Sequence, residues 1–350
     1  MKRGRIAFLS IDGFHQSVLR PVIDAIDDRV RTRLVTSVAE AVEFRPSVIV
    51  VPSHRQLERL RRRFPGVWLV NVRHGLIAKR GLATLPARAS ARRFDAVCFW
   101  DAASEDRYRA EGASPQEAWY TGYSQMDSLF RGGPGADLGL PVGMPVVLYA
   151  PTWNPGLSSA PMLGPRITEL VRGEPADIGL IIKPHPTIPA WRPEWLAWWR
   201  AAALRDPLVR LVDALDDVTP LMLASDLLIS DASSTIFEYL ALDRPITLLT
   251  NPDAPDDPDY DATDLPWRWR DLGDEVTDAA DLAAVVRRSL ADRGAASAKR
   301  RAYRDQLFGP FQDGRSALRI ADSLLDLLSR IDRGTAPPAL RFELPPPDQG

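Results

Sequence analysis

The sequence is poor in the residues and segments that mark extracellular, membrane-spanning and cysteine-ligated metal proteins. Its single cysteine, Cys98, cannot form a disulfide within the chain and excludes a metal site built from several cysteines. No apolar run approaches the ~18–20 residues that a membrane-spanning helix needs. Residues 1–14, MKRGRIAFLSIDGF, have basic residues before an apolar run, but this run is too short for a signal peptide and predicts a first strand. We therefore expect a cytoplasmic protein.

Common phosphate-binding and nucleophile signatures are also missing. The sequence contains no GxxxxGK[ST] loop, no GxGxxG turn and no GxSxG elbow. A DxD-like DYD at 259–261 lies in a loop so rich in Asp and Pro that chance explains it. Nothing in the pattern requires a metal, and we expect no cofactor.

What the sequence does contain is an uneven charge. Of its 350 residues, the first 130 carry 21 Lys and Arg against 14 Asp and Glu, and the remainder carries 23 against 32. This length favours two domains. We expect the basic first half to meet an anionic partner, either a phosphorylated acceptor or a membrane surface, and we expect no nucleic acid.

Residues 53–64, SHRQLERLRRRF, are the clearest local source of that charge. At helical spacing Leu57, Leu60 and Phe64 form an apolar stripe. Arginines surround the stripe, at Arg55, Arg59, Arg61, Arg62 and Arg63. Two interpretations remain open: a surface helix with solvated arginines, or peripheral contact with anionic lipid at the inner membrane face.

Short apolar runs alternate with helical patterns, which predicts parallel α/β structure. Ten runs are predicted as strands: RIAFLS, VRTRLVT, SVIVVPS, VWLVNV, FDAVCFW, VVLYAP, DIGLIIKPHP, VRLVDA, SDLLIS and PITLLT. Helices are predicted at 15–28, 53–64, 102–112, 280–293 and 312–332. We predict five segments: a first domain at 1–131, a Gly- and Pro-rich linker at 132–145, a second domain at 146–311, a helix at 312–333 and a disordered tail at 334–350.

Ligands of open α/β sheets bind beyond the carboxyl ends of the strands, so the residues that follow strands are candidates for a site. His74 follows VWLVNV, and basic residues come a turn later. His185 follows GLIIKP, between two prolines that stiffen the loop, and His15 follows the first strand. A histidine can take a proton from a hydroxyl or donate a hydrogen bond to phosphate. A purely structural role stays open for each.

The segment ISDASSTIFEYL runs from a strand into a helix and places three hydroxyls, Ser233, Ser234 and Thr235, at the junction. Unpaired N–H groups at a helix start suit a phosphate. The same residues also fit a helix cap, because Thr235 and Glu238 match the S/T-x-x-E capping box. Hydroxyls, basic groups and two stiffly held histidines together describe a pyrophosphate site.

Six motifs occur in an order that resembles one known family. They are RHGLIAKRG at 73–81, TGYSQMDSLF at 121–130, LYAPTW at 148–153, KPHP at 183–186, SDASSTIFEYLALDRPI at 230–246 and DGRSALRIADSLL at 313–325. This set resembles the CDP-glycerol glycerophosphotransferases of teichoic-acid and capsule synthesis.

The resemblance implies a GT-B fold, in which two Rossmann-like domains with parallel sheets face a central cleft and the second domain takes the nucleotide. It implies that the helix at 312–333 crosses back to the first domain. By position, His74 resembles the general base for the acceptor hydroxyl, and His185 resembles a phosphate-stabilising group. Ser233 and Ser234 resemble pyrophosphate ligands.

The implied chemistry is transfer of a polyol phosphate, from a CDP-linked donor, to a hydroxyl of an anionic glycan or lipid-linked acceptor. Further donor-binding candidates are Thr152, Lys183, Thr235 and Glu238, the last of which either binds the ribose hydroxyls or completes the capping box. Acceptor or phosphate candidates are His15, Arg73, Lys79 and Arg80.

Departures from the family pattern leave other activities open. Arg73 replaces an aromatic residue, Leu76-Ile77 replaces Thr-Pro, and Ser124-Gln125-Met126 replaces Pro-Arg-Asn, so that a basic side chain is missing unless Arg73 substitutes for it. Such changes fit a relative with another donor or acceptor. The alternatives are a GT-B glycosyltransferase that uses a nucleotide sugar in capsule or lipopolysaccharide synthesis, a nucleotide-sugar 2-epimerase-like enzyme, and a non-catalytic scaffold.

Overall fold

The computed structural model describes residues 4–11, 15–54, 56–74, 94–110 and 114–341. The chain forms two compact units, which divide at residues 127/128 and again at 306/307, so that the end of the chain belongs to the first unit. Each unit is built on a six-stranded parallel sheet, and the central strands are buried along their whole length. This is the pattern of a sheet covered on both faces. The predicted α/β fold class with two parallel sheets is confirmed.

The first sheet has the strand order β2-β1-β3-β4-β5-β6. Its strands are β1 (Arg5–Leu9), β2 (Arg31–Val35), β3 (Val48–Val51), β4 (Trp68–Asn71), β5 (Ala96–Phe99) and β6 (Glu117–Tyr120). The direction of the strand order reverses between β1 and β3. Crevices for ligands form beyond the carboxyl ends of strands at such a reversal.

The second sheet has the order β12-β11-β10-β7-β8-β9. Its strands are β7 (Val146–Tyr149), β8 (Gly179–Ile182), β9 (Val209–Leu211), β10 (Leu227–Ser230), β11 (Ile246–Leu249) and β12 (Asp274–Val276). The reversal here lies between β7 and β10. All ten predicted strands occur; β6 and β12, both at sheet edges, were not predicted.

Helices cover the sheets. In chain order they are α1 (Gln16–Ile26), α2 (Val38–Phe44), α3 (Leu57–Arg63), α4 (Ala102–Ala110), α5 (Asp127–Arg131), α6 (Ala160–Leu163), α7 (Ile167–Arg172), α8 (Ile188–Trp191), α9 (Pro193–Arg205), α10 (Thr219–Ala224), α11 (Thr235–Tyr239), α12 (Leu265–Arg268), α13 (Leu282–Ala291), α14 (Ser297–Phe308) and α15 (Ser316–Asp332). Among the described residues, no helix combines the length and apolar character needed to cross a bilayer.

The arginine-rich helix α3 packs its apolar stripe into the first unit. Leu57, Leu60 and Phe64 are buried in the core, so this stripe is not available to lipid. Arg61 is buried as well, and its Nη1 lies 2.7 Å from a carboxylate oxygen of Asp95. The apolar stripe is therefore that of a surface helix packed on its domain. Arg59, Arg62 and Arg63 are exposed, and Arg55 lies outside the described residues.

The long helix α15 packs on α1 within the first unit, and the motif at 121–130 fixes its start. The Asp127 carboxylate accepts hydrogen bonds from the backbone N–H groups of Ser316, at 2.9 Å, and Ala317, at 2.7 Å. Gly122 has φ +84°, and a Cβ there would come within 2.4 Å of the Ser316 hydroxyl. The second and sixth motifs are thus physically one feature, an anchor for the last helix.

Residues 334–341, assigned above to a disordered tail, are held by the first unit. The buried Asp95 carboxylate accepts from the backbone N–H of Leu340 at 2.6 Å, and Arg61 donates to the Leu340 carbonyl at 3.2 Å. Gln116 donates to the Pro338 carbonyl at 3.1 Å. The prediction of disorder is therefore wrong for 334–341, because a buried carboxylate supplies partners for the backbone; residues 342–350 lie outside the described residues.

Candidate active site

Two histidines meet at the carboxyl edge of the first sheet. His15 follows β1 and His74 follows β4; their ring centroids lie 4.3 Å apart, and the ring planes are tilted by 55°. The Nδ1 atom of His74 lies 2.7 Å from the carbonyl oxygen of Pro52, which follows β3. The strand reversal therefore joins three loops around the His74 ring, one of which carries His15.

The contact with Pro52 fixes the hydrogen on the His74 ring. A carbonyl oxygen can only accept a hydrogen bond, so Nδ1 must be the donor. In the neutral ring the lone pair is then at Nε2. His74 is exposed, and this arrangement gives it the tautomer that a general base requires.

Arg73 precedes His74 and turns away from it. Its φ of +50° is rare for a residue with a side chain. The guanidinium carbon lies 4.8 Å from the ring centroid of Trp100, 5.7 Å from Tyr108 and 5.8 Å from Phe99. The charge is thus held on the β5 side of the edge, among aromatic faces. The other two basic candidates, Lys79 and Arg80, lie outside the described residues.

Asp231 organises the carboxyl edge of the second sheet at its own strand reversal. The residue follows β10 and is buried. One carboxylate oxygen accepts from the backbone N–H of Thr152, at 2.8 Å, and the other accepts from the N–H of Ser159, at 2.8 Å, and from its hydroxyl, at 2.9 Å. The candidate Thr152, which follows β7, is therefore tied to the loop that carries the hydroxyl cluster.

The hydroxyl cluster does not form the capping box. The Ser233 Oγ accepts from the Thr235 N–H at 3.3 Å and lies 2.9 Å from the Thr235 hydroxyl. Ser234 is the N-cap residue of α11, and within the described chain its side chain makes no capping hydrogen bond. Because Thr235 is already the first helical residue, the register needed for a box with Glu238 is absent. The serines remain candidates for phosphate binding.

Glu238 lies on α11, three residues after Thr235, and is buried, with 6% of its surface exposed. Burial, with a smaller contribution from the charge of Asp217, raises the pKa of Glu238 to about 8. At neutral pH the carboxyl group is therefore largely protonated and can donate a hydrogen bond as well as accept one.

Lys183 follows β8 and is buried, which lowers its pKa to about 8 despite nearby acidic residues. Its ammonium group donates to the carbonyl oxygens of Ala214, at 2.7 Å, and Pro184, at 3.0 Å. Two of the three ammonium hydrogens are thus committed to the backbone. Lys183 shapes the loop that carries His185, and one hydrogen remains for a ligand.

His185 is held by the opposite kind of hydrogen bond from His74. The backbone N–H of Thr187 donates to the His185 Nδ1 at 3.2 Å. Nδ1 must therefore carry the lone pair, and in the neutral ring the hydrogen is on Nε2. This tautomer is a hydrogen-bond donor at Nε2, as a phosphate oxygen requires.

Comparison with protein-family models matches residues 23–326 to the CDP-glycerol:poly(glycerophosphate) glycerophosphotransferase family. The chain belongs to this family. It is accordingly a transferase, and the resemblance drawn from the six motifs is confirmed. No curated protein matches the sequence.

Solved structures of similar fold include the wall teichoic acid polymerase TagF and sugar-nucleotide epimerases. A TagF variant soaked with CDPG is 17% identical, covers 95% of this chain and 90% of its own, and gives a TM-score of 0.67. UDP-GlcNAc 2-epimerase from Neisseria meningitidis, bound to UDP-GlcNAc, is 12% identical to this chain. The match covers 92% of this chain and 99% of the epimerase, with a TM-score of 0.54. The predicted GT-B fold class is confirmed by these neighbours, which at this identity speak to the fold alone.

In this glycerophosphotransferase the structure groups the predicted residues by unit. His15, Arg73 and His74 lie at one edge of the first sheet, and the candidates Thr152, Lys183, His185, Ser233, Ser234, Thr235 and Glu238 follow or adjoin the strand ends of the second. Asp231 was not selected from the sequence, although its position directly after a buried strand was a usable signal. The backbone partners of the two histidines left no such signal.

Among the described residues of the glycerophosphotransferase, no group of three or more His, Cys, Asp or Glu side chains is placed to hold an ion. Asp259 of the DYD sequence accepts a hydrogen bond from Asn154 at 2.9 Å, and Asp257 accepts from the same amide at 3.1 Å. These carboxylates have a structural role in joining two loops of the second unit.

Proposed function

We propose that the protein transfers glycerol phosphate, or a related polyol phosphate, from a CDP-linked donor to a hydroxyl of a glycan or lipid-linked acceptor. An oxygen–phosphorus bond forms between the acceptor and the distal phosphorus, and the bond from that phosphorus to CMP breaks. The acceptor proton passes to Nε2 of His74. The opposite tautomers of His74 and His185 carry this proposal, because the reaction needs one base and one donor.

The second unit is the donor side in this proposal. Asp231 holds the backbone of Thr152, and the Ser233 hydroxyl lies beside that of Thr235. In the proposal the hydroxyls of Thr152, Ser233 and Ser234 contact the pyrophosphate. The Nε2–H of His185 stabilises charge that develops on the phosphate oxygens in the transition state. The protonated Glu238 is suited to the ribose hydroxyls.

The first unit is the acceptor side. His74 deprotonates the acceptor hydroxyl, and His15 packs against its ring and limits its rotation. Arg73, with Lys79 and Arg80, supplies positive charge for an anionic acceptor. One positioned base contributes roughly 10²–10⁴-fold to the rate.

The deciding experiment is a thermal-shift titration of the full chain with CDP-glycerol, CDP-ribitol, UDP-GlcNAc and a GDP-sugar. A ligand that binds only the folded state raises the melting temperature in proportion to RT ln(1 + [L]/Kd). We expect selective stabilisation by the CDP-alcohols. Stabilisation by a nucleotide sugar alone would contradict the proposal and would favour glycosyl transfer or epimerisation as the activity.

We also propose peripheral contact with an anionic membrane through the outer arginines of 53–64. Arg59, Arg62 and Arg63 line a groove of about 580 Å³ between α2 and α3, together with the apolar Val38, Ala39 and Val42 and one acidic residue, Glu43. The apolar and basic side chains of this groove together suit the headgroup region of a phospholipid membrane. Each arginine near an anionic membrane surface contributes about 1 kcal/mol to the free energy of binding.

Vesicle co-sedimentation tests this contact. We expect binding to phosphatidylglycerol vesicles but not to phosphatidylcholine vesicles, and a loss of about 100-fold when Arg59, Arg62 and Arg63 are all changed to Gln. Changing the exposed Arg200 and Arg205 of α9 to Gln is the control. Equal binding by both variants would rule out this surface.

A further inference from the structure

The carboxyl edge of the first sheet carries a row of side chains that begins at Arg73 and continues into residues to which the proposed reaction gives no role. Strand pairing aligns Asn71 with Val97 and Phe99 with Tyr120. Two residues past Asn71, the same register brings Arg73 level with Phe99, in agreement with the contact between its guanidinium and that ring. Arg73, Phe99 and Tyr120 therefore form one row across the ends of β4, β5 and β6.

Tyr120 ends this row with a ring that is fixed and yet half exposed. The side chain is 48% exposed at the end of the edge strand. Its hydroxyl donates to the Glu105 carboxylate, and its ring centroid lies 6.5 Å from that of Phe99. Arg109 donates through Nε to the same carboxylate at 2.6 Å. A ring already held in one orientation binds a ligand with little further loss of entropy.

Glu105 is an acceptor that is only partly used. The hydrogen bond from Tyr120 and the pairing with Arg109 hold the pKa of Glu105 below its usual range, so the group is ionised at neutral pH. Glu105 is 8% exposed. A carboxylate offers about four lone-pair sites; the Tyr120 hydroxyl and two nitrogens of Arg109, Nε and Nη2, take three of them, which leaves about one for a sugar hydroxyl. An aromatic face, a carboxylate and a guanidinium thus converge at one place on the edge.

We propose that Tyr120, Glu105 and Arg109 form a subsite for a pyranose ring of the acceptor. The C–H face of the sugar packs on the tyrosine ring, a sugar hydroxyl donates to the carboxylate, and the guanidinium donates to hydroxyl oxygens. No bond is made or broken there. The subsite selects and orients the acceptor.

The spacing of the strands relates this subsite to the proposed base. Neighbouring strands lie about 4.8 Å apart, so the end of β6 is about 10 Å from the end of β4, which His74 follows. In this arrangement the sugar on Tyr120 is not the residue that reacts: the next residue of the acceptor carries the hydroxyl that reaches His74. That this sugar belongs to the acceptor rests on the proposed function. That a sugar binds to Tyr120 does not rest on it.

Saturation-transfer NMR on the full chain tests the subsite with two probes, methyl β-N-acetylglucosaminide and methyl β-glucoside. We expect saturation of ring C–H protons of at least one glycoside. Tyr120→Ala should weaken that binding about tenfold, because the stacking face is lost. Tyr120→Phe keeps the stacking face but loses the hydrogen bond that orients it, so it should weaken binding by less than Tyr120→Ala does, about two- to threefold. Leu318→Ala, which alters a half-exposed side chain of the same unit, is the matched control.

Two results overturn the proposal: no saturation of either glycoside by the wild-type chain, or an unchanged signal in Tyr120→Ala. If melting curves show that Tyr120→Ala does not fold, Glu105→Gln replaces it in the experiment. We expect Glu105→Gln to bind the glycoside more weakly, and unchanged binding would contradict the proposal. The CDP-glycerol thermal shift is measured on the same samples. If CDP-glycerol gives no shift, that result contradicts the proposed CDP-linked donor, and the glycoside result is judged independently.

Discussion

At the carboxyl edge of the first sheet, a carbonyl oxygen receives the Nδ1 hydrogen of His74; at the edge of the second sheet, a backbone N–H donates to the Nδ1 of His185. The two residues are chemically identical and both follow buried strands. Their neutral rings nevertheless present opposite groups at Nε2, a lone pair in one unit and a hydrogen in the other.

The difference shows that a histidine receives its role from the backbone group behind it. Pro52 presents a carbonyl at the reversal of the first sheet. Thr187 presents an N–H at the start of the short helix after β8. Pro52 lies 22 residues from His74, whereas Thr187 lies 2 residues from His185. Each partner selects the tautomer that the proposed reaction needs in that unit.

The largest expected effect comes from His74→Gln. Glutamine has similar reach but no titratable lone pair, so transfer from CDP-glycerol should fall by roughly 10²–10⁴-fold. Stabilisation by CDP-glycerol in a thermal-shift assay should not change. His54→Gln, at an exposed histidine of the same unit, is the control. A variant with near wild-type transfer would show that His74 is not a base.

His185 sharpens the comparison, because glutamine can supply the N–H that this ring donates. His185→Ala should lower the transfer rate by roughly 10²–10³-fold, the cost of one donor to a developing anion. His185→Gln should recover most of that loss in the same assay. If instead Gln rescues position 74 and not position 185, the two roles are exchanged.

Asp231→Asn tests whether the Asp231 carboxylate holds the loops at the carboxyl edge of the second sheet. The amide places N–H groups against backbone N–H donors, so we expect a loss of about 3 kcal/mol in the free energy of unfolding, measured by urea denaturation. Asp259→Asn removes charge from a more exposed loop and should cost less. Equal losses would mean that Asp231 does not hold the site loops.

Glu238 gives the smallest effect, as a pH profile. The folded state keeps a proton until about pH 8, whereas the unfolded chain releases it near the ordinary value of 4.5. The free energy of unfolding should therefore fall as the pH rises from about 4.5 to about 8. Glu238→Gln should remove this decline and be more stable by about 1–2 kcal/mol at pH 7. The exposed Glu194→Gln should keep the wild-type profile; a flat wild-type profile would contradict the burial argument.

Strand prediction succeeded wherever burial demanded apolar residues. Val48–Val51 and Leu227–Ser230 are buried throughout, so each had to be an apolar run. The two strands that were not predicted, Glu117–Tyr120 and Asp274–Val276, lie at sheet edges and contain charged residues. An edge strand pairs on one side only and needs no continuous apolar pattern.

The sequence by itself determined the two parallel sheets, the family and the choice of residues after the strands, because alternating burial and ordered motifs are properties of the chain. Only the tertiary structure decided what those residues can do. The tautomer of His74, the protonation of Glu238 and the hydrogen bonds that hold Leu340 depend on groups distant in the chain, and the tautomer of His185 depends on how its loop folds over two residues. Hydrogen bonding and desolvation act through space, and folding alone brings those groups together.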